Sequence, residues 1–186
     1  MTDPLPNEPV SGKDACALDP SDAAIVQAQL GRYPRGAMEV AWRCPCGKPG
    51  VVKTAPRLPD GTPFPTTYYL TCPNAVKACS TLEVSGWMAE MTKRLGEDPD
   101  LAARYAEAHQ SYISDREALG ERLHLDVPEI SGVSAGGMPD RVKCLHALVA
   151  HSLAKGPGVN PVGDEALEVL GDFWAKPCLS GFRGEQ

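Results

Sequence analysis

The sequence predicts an α+β fold, a small antiparallel three-stranded sheet packed with about five helices, including an αα-hairpin. Two observations carry this. Between Met38 and Cys72 apolar residues recur with a period of two, in three short runs separated by Pro/Gly-rich turns. From Val84 onward the period lengthens to that of an amphipathic helix.

The elements follow in order. Residues 1–18, with Pro4, Pro6 and Pro9 among acidic residues, read as a disordered N-terminal tail, and Cys16 within it as incidental. Asp19-Pro20-Ser21-Asp22 starts a helix, with proline in the first turn and carboxylates at the positive end of the dipole, and Gly31 ends it. Met38, Val40, Trp42 and Cys44 alternate with Glu39, Ala41 and Arg43 as a half-buried strand. Val51–Ala55 and Thr66–Cys72 form two further strands around a Pro-rich loop whose Asp60-Gly61 is a turn signal. Inward-facing first and third strands bring Cys44 and Cys72 together.

Val84, Met88, Met91 and Leu95, then Leu101, Tyr105, Ala108 and Tyr112, give two amphipathic helices joined at Gly96–Pro99. Their methionines and tyrosines suit a core. The Gly-rich segment Gly132–Met138 leads through Pro139 into an apolar, buried helix ending at Gly156. Asp164 caps a last helix carrying Leu167, Leu170, Phe173 and Trp174. The expected organisation is one domain over 19–176, followed by a tail over 177–186.

At 186 residues the chain is long enough for one well-buried core. Its 18 basic and 24 acidic residues give a net charge of -6, which does not support nucleic acid as a partner. No apolar run reaches the length of a membrane span and the N-terminus lacks a leader pattern, so the expected location is cytoplasmic. Seven cysteines in a reducing compartment are expected as thiols or metal ligands rather than disulfides.

The cysteines are the strongest functional signal. Cys44 and Cys46 sit in Arg43-Cys-Pro-Cys-Gly-Lys-Pro49, Cys72 in Leu70-Thr-Cys-Pro73, and Cys144 opens Lys143-Cys-Leu-His146. On an extended segment, residues two apart face the same way about 6.5–7 Å apart, which suits two ligands of one ion. The expected ligand set is Cys44, Cys46, Cys72 and Cys144, holding zinc or an iron–sulfur cluster. On a helix Cys144 and His146 point nearly opposite ways and His151 lies about 10.5 Å from Cys144, so all three cannot serve one ion. His146 and His151, with Lys143, are instead candidates for proton transfer. Cys79 and Cys178 read as structural or incidental, and buried free thiols remain the bland alternative for the whole set.

Gly132-Val-Ser134-Ala-Gly136 matches the nucleophile-elbow pattern in letters, but Pro139 and the order of acid and histidine do not fit it. A better reading gives the loop a small anionic ligand. Ser134, Gly136 and Gly137 allow close backbone approach, Arg141 and Lys143 fall in the first turn of the following helix, and Arg57 reaches in from the Pro-rich loop. Ordinary helix-entry geometry accounts for the glycines equally well.

Arg43-Cys-Pro-Cys-Gly47, Ala55-Pro-Arg-Leu-Pro-Asp-Gly-Thr-Pro-Phe-Pro65, Tyr68-Tyr-Leu-Thr-Cys-Pro73 and Gly132–His146 together resemble one family, the uncharacterised actinobacterial domain of unknown function 501, from about Ile25 to Leu170. The resemblance implies a cytoplasmic bacterial protein whose gene neighbours include those for enolase, a septum-formation initiator and an exopolyphosphatase. It implies no catalytic residues. The expected function is that of a metal-binding protein with a Cys-rich site beside a Gly-rich, basic anion pocket. The alternatives are an enzyme using an open metal or cluster on a small anion, and an interaction protein of cell division or polyphosphate metabolism that docks partners through the 80–119 helices.

Overall fold

A computed structural model describes residues 16–179, and its first helix, α1, spans Pro20–Leu30. The Asp19 carboxylate accepts from the Ser21 N–H at 2.9 Å, and Gly31 closes the helix at φ 68°, a left-handed conformation that costs glycine little. Val26 lies fully buried with Leu18, Ala37 and Val52 in a small cluster between α1 and the sheet. Leu18, the last residue of the expected N-terminal tail, is therefore packed. Residues 1–15 of that tail and 180–186 of the C-terminal one lie outside the described residues.

The sheet has three antiparallel strands, β1 (Ala37–Arg43), β2 (Pro49–Thr54) and β3 (Tyr68–Leu70), in the order β1-β2-β3. Both outer strands oppose β2, so they run parallel to each other and release Cys44 and Cys72 at the same end. Gly50 sits at that end. Its carbonyl accepts from the N–H of Thr71 at 2.9 Å and of Cys72 at 3.2 Å, and a Cβ there would come within 2.4 Å of the Trp42 ring. A glycine lets the chain pass under the indole.

Cys72 leaves the sheet and immediately precedes α2 (Pro73–Glu83), a helix the sequence reading passes over. Gly86, at φ 89°, breaks the chain before α3 (Trp87–Glu97), so Val84 falls between helices and is 86% exposed instead of heading an apolar stripe. Between residues 80 and 119 it is the one large hydrophobic that stands exposed among the described residues. Helix α4 (Pro99–Arg122) follows after the single residue Asp98, whose carboxylate accepts from the Leu101 N–H at 2.9 Å. That junction is shorter than the loop of about two to five residues in an αα-hairpin.

Helix α5 (Leu145–Lys155) is the centre of the molecule, with Leu145 and every residue from Ala147 to Ser152 buried. It packs on the sheet, on α2 and on α6 (Pro161–Leu170). It begins later than the sequence suggests. The amides of Arg141 and Lys143 bond back to the carbonyls of Gly137 and Gly136 at 3.1 and 2.7 Å, and that of Val142 to Thr92 Oγ1 at 3.0 Å. These donors serve the loop, so Arg141 and Lys143 precede the helix rather than lying in its first turn. Helix α6 is likewise capped by Asn160, which accepts from the Gly163 N–H at 3.0 Å, while Asp164 accepts from Gly158 at 2.7 Å. Pro161 at the first helical position moves the start four residues ahead of the expected one.

The α5–α6 contact is very close. A Cβ on Gly163 would lie 2.4 Å from both the Leu148 carbonyl oxygen and Ser152 Oγ. Gly163→Ala is expected to push the helices apart at a cost of about 1–3 kcal/mol. A thermal midpoint within a degree of wild type would show that this contact has slack. Among the described residues no helix is long and apolar enough to cross a membrane.

Candidate metal centre

Cys44 and Cys46 are held by a tight turn between β1 and β2. The Cys44 N–H donates to the Lys48 carbonyl at 2.9 Å and the Gly47 N–H to the Cys44 carbonyl at 2.7 Å, with Gly47 at φ 85°. Cys72 faces them from the start of α2. The fourth thiol there is that of Cys178, beyond α6, whose Sγ lies 3.6 Å from Cys46 Sγ. Cys44, Cys72 and Cys178 are buried at 2, 0 and 7% exposure.

Each of the four thiols interacts with at least two of the others, although no three of their sulfurs all lie within 4.8 Å of one another. Cys44 senses Cys46 and Cys178, Cys72 senses Cys44, and Cys178 senses Cys72 and Cys46. Burial pushes the thiols of Cys44 and Cys72 up, and that of Cys178 up to about 11. Burial also opposes ionisation of Cys46, but amides of Lys48 and Cys178 aimed at its sulfur bring it down to about 7. The amides of Ala75 and Asn74 likewise moderate the rise at Cys72. Amide donors directed at sulfur stabilise thiolate, the form that binds a metal. Gln29 of α1 also reaches the group, its Nε2 lying 2.7 Å from the Pro49 carbonyl and 3.7 Å from Cys178 Sγ.

Cys144 stands in different company. It is the residue before α5 and has extended backbone, φ -147° and ψ 110°, so the helical rotation that would separate it from His146 does not apply. Its Sγ lies 3.9 Å from His146 Nδ1, which in turn is 3.0 Å from Glu83 Oε1 at the end of α2. These three ligand atoms all lie within 4.8 Å of one another. The Leu145 N–H holds Glu83 Oε1 at 2.7 Å, and Ser80 Oγ stands 3.3 Å from His146 Nε2. The hydrogen bond to Cys144 and the charge of Glu83 raise His146 to about 9, and the same bond lowers the Cys144 thiol against burial. Cys79, buried beside both Cys144 and Glu83, is pushed up to about 12, chiefly by burial.

The Gly-rich loop packs closely. Its Ser134 is buried with Oγ 2.8 Å from His109 Nδ1. A Cβ on Gly136 would meet Leu148 at 2.5 Å, and one on Gly137 the Arg141 carbonyl at 2.6 Å, so both glycines are needed to fit the loop against its surroundings. Arg141 and Lys143 are exposed. Arg57 braces the Pro-rich loop, donating to the Gly61 and Asp126 carbonyls at 2.8 Å and pairing with Glu129 at 2.9 Å.

His151 is a core residue. It stacks on Tyr68 at 5.5 Å and meets Tyr112 edge-on at 5.1 Å, with Asn160 Nδ2 3.2 Å from its Nδ1. Burial lowers its pKa from 6.5 to about 4, with Asp115 and Asp164 pulling weakly upward and Lys155 downward. The unfolded chain therefore takes the proton first. The stabilisation from a neutral His151 is complete above pH 6.5 and is lost as pH falls toward 4, to a total of about 3 kcal/mol. His151→Gln should flatten that acid limb in urea titrations, and an unchanged limb would place the effect elsewhere.

Sequence reasoning misses Cys178 and Glu83. Cys178 follows Pro177 near the chain end, outside any periodic element. Glu83 is one of many helical carboxylates, and only the fold sets it beside Cys144.

The chain belongs to a family described as a protein of unknown function (DUF501), which matches residues 40–168, more than half of the 186. No curated protein and no solved structure matches it.

Proposed function

We propose that this chain is a metal-binding protein in which Cys44, Cys46, Cys72 and Cys178 hold one tetrahedral ion, zinc in preference to a cluster. The observation that carries the reading is the 3.6 Å separation of the Cys46 and Cys178 sulfurs, with Cys44 and Cys72 each interacting with Cys178; a bound ion would draw those two further sulfurs in. Two thiolates on one tetrahedral zinc at about 2.3 Å are about 3.8 Å apart. In a cubane cluster each thiolate binds its own iron, and the sulfurs lie much farther from one another. Cys178 takes the place expected for Cys144.

With four protein ligands and three of the four thiols buried, the centre is closed and its role is structural. It ties the β1–β2 turn, the start of α2 and the segment after α6 to one point, and adds binding energy to a small sheet. Seven cysteines with no disulfide among them suit a reducing, cytoplasmic setting.

Anaerobic purification followed by elemental and acid-labile sulfide analysis tests the assignment. The expected product is colourless and carries zinc without sulfide. A brown protein with labile sulfide would replace the single ion by a cluster, and a metal-free preparation would return the thiols to the core.

A further inference from the structure

We propose that Glu83, Cys144 and His146 form a second metal site, separate from the four-thiol centre, that takes a zinc-like divalent ion and leaves one position open to an exchangeable oxygen ligand. The two sites share no residue, and this inference does not depend on the first.

The geometry is close to that of a bound ion. Tetrahedral zinc would place a thiolate sulfur about 3.5 Å from an imidazole nitrogen, and that nitrogen about 3.3 Å from a carboxylate oxygen. The observed separations are 3.9 Å for Cys144 Sγ to His146 Nδ1 and 3.0 Å for Nδ1 to Glu83 Oε1. The remaining pair, Cys144 Sγ and the Glu83 carboxylate, lies within 4.8 Å, and side-chain rotation closes the set on one ion.

The imidazole is also oriented for the task. Ser80 Oγ donates to the Val76 carbonyl at 2.9 Å, so it is an acceptor toward His146 Nε2 at 3.3 Å. That contact holds one proton on Nε2, so the proton that an incoming ion displaces is the one on Nδ1, between Glu83 and Cys144. The freed lone pair then faces the ion, the usual support of a metal-bound histidine. Three acceptors (a thiolate, an imidazole nitrogen and a carboxylate oxygen) then converge on one point, and a cation between them removes their mutual repulsion. The Leu145 amide fixes the carboxylate at 2.7 Å.

Backbone dipoles reinforce the arrangement, since the C-terminal end of α2 favours a cation and the N-terminal end of α5 favours the thiolate. The mixed N, O and S donor set suits zinc or a neighbouring first-row ion. Side chains of His146 and Glu83 keep 28 and 23% exposure, so the fourth position faces water. Three protein ligands with an open position are the arrangement that polarises a bound water or the oxygen of an anionic ligand.

The test counts zinc in full-length protein equilibrated with excess zinc and desalted. Wild type is expected to retain two ions per chain. His146→Asn and Glu83→Gln, each confirmed as folded by circular dichroism, should retain one, and Cys178→Ser should keep the ion that they lose. Equal zinc content in wild type and in both Glu83 and His146 variants overturns the second site, leaving His146 paired with Glu83 through a proton. Two variants guard against one failing to fold. Loss of zinc in His146→Asn but not in Cys178→Ser would uphold this site while refuting the four-thiol one.

Discussion

Cys178→Ser is expected to release the ion of the four-thiol centre and lower the thermal midpoint by roughly 10 °C or more. A structural zinc contributes apparent binding energy of about 10–16 kcal/mol in small domains, comparable to the whole stability of an ordinary protein. Losing about 3 kcal/mol of it already shifts a chain of this size by about 6–12 °C. The effect should be as large as that of Cys44→Ser or Cys72→Ser, because all three thiols converge from different elements. Chelator should lower the wild-type midpoint similarly and leave Cys178→Ser almost unchanged. Cys144→Ser should stay within a few degrees of wild type, since its partners are Glu83 and His146. Calorimetry on the set decides it, and a Cys178→Ser protein as stable and chelator-sensitive as wild type would remove this residue from the centre.

Arg116→Met is expected to cost about 2–4 kcal/mol. The guanidinium is 2% exposed and donates to the Val133 and Ile130 carbonyls, the latter at 2.9 Å. Burial lowers the pKa of the arginine. It pins the segment leading into the Gly-rich loop onto α4. Methionine keeps much of the volume but leaves the Val133 carbonyl without its donor, at about 1–3 kcal/mol. It also takes from the Ile130 carbonyl a charged donor worth about 1.5–3 kcal/mol, while the Val133 N–H stays on that carbonyl at 3.1 Å. The loss is offset partly because a charge no longer has to be buried. Urea unfolding measures the difference, and a loss below about 1 kcal/mol would mean that water reaches those carbonyls.

The parts of the fold that were legible are those whose signals are local. Asp19-Pro20 and Gly31 bound α1 because capping and left-handed closure are properties of single residues. Alternation from Met38 to Cys44 marks β1, although the strand is half-buried on both faces and its shifts of register against β2 send Val40 and Trp42 to different clusters. Helix α2 is hidden because Cys72-Pro73 reads as a strand ending in a turn, although the proline occupies a favoured first helical position. Val84 looked like part of a stripe, and Gly86 is what removes it.

The site divides along the same line. Cys44 and Cys46 are tied together by their own turn, and the shared direction of β1 and β3 places Cys72 at the same end. The fourth partner is a matter of chain closure, since Cys178 lies 132 residues from Cys46 and only the packing of α6 returns it. A helical wheel separates Cys144 from His146, whereas the extended backbone of Cys144 turns it to the same side as His146. Glu83 arrives because α2 and α5 pack together, a contact no spacing encodes.

The most direct measurement is metal-edge X-ray absorption on His146→Asn, which isolates the four-thiol centre. A zinc edge and a single shell of four sulfurs at about 2.3 Å are expected, lost in His146→Asn carrying Cys178→Ser as well. Three sulfurs with a light atom, a shell unchanged by the serine, or a Cys46–Cys178 disulfide in a metal-free protein would contradict it.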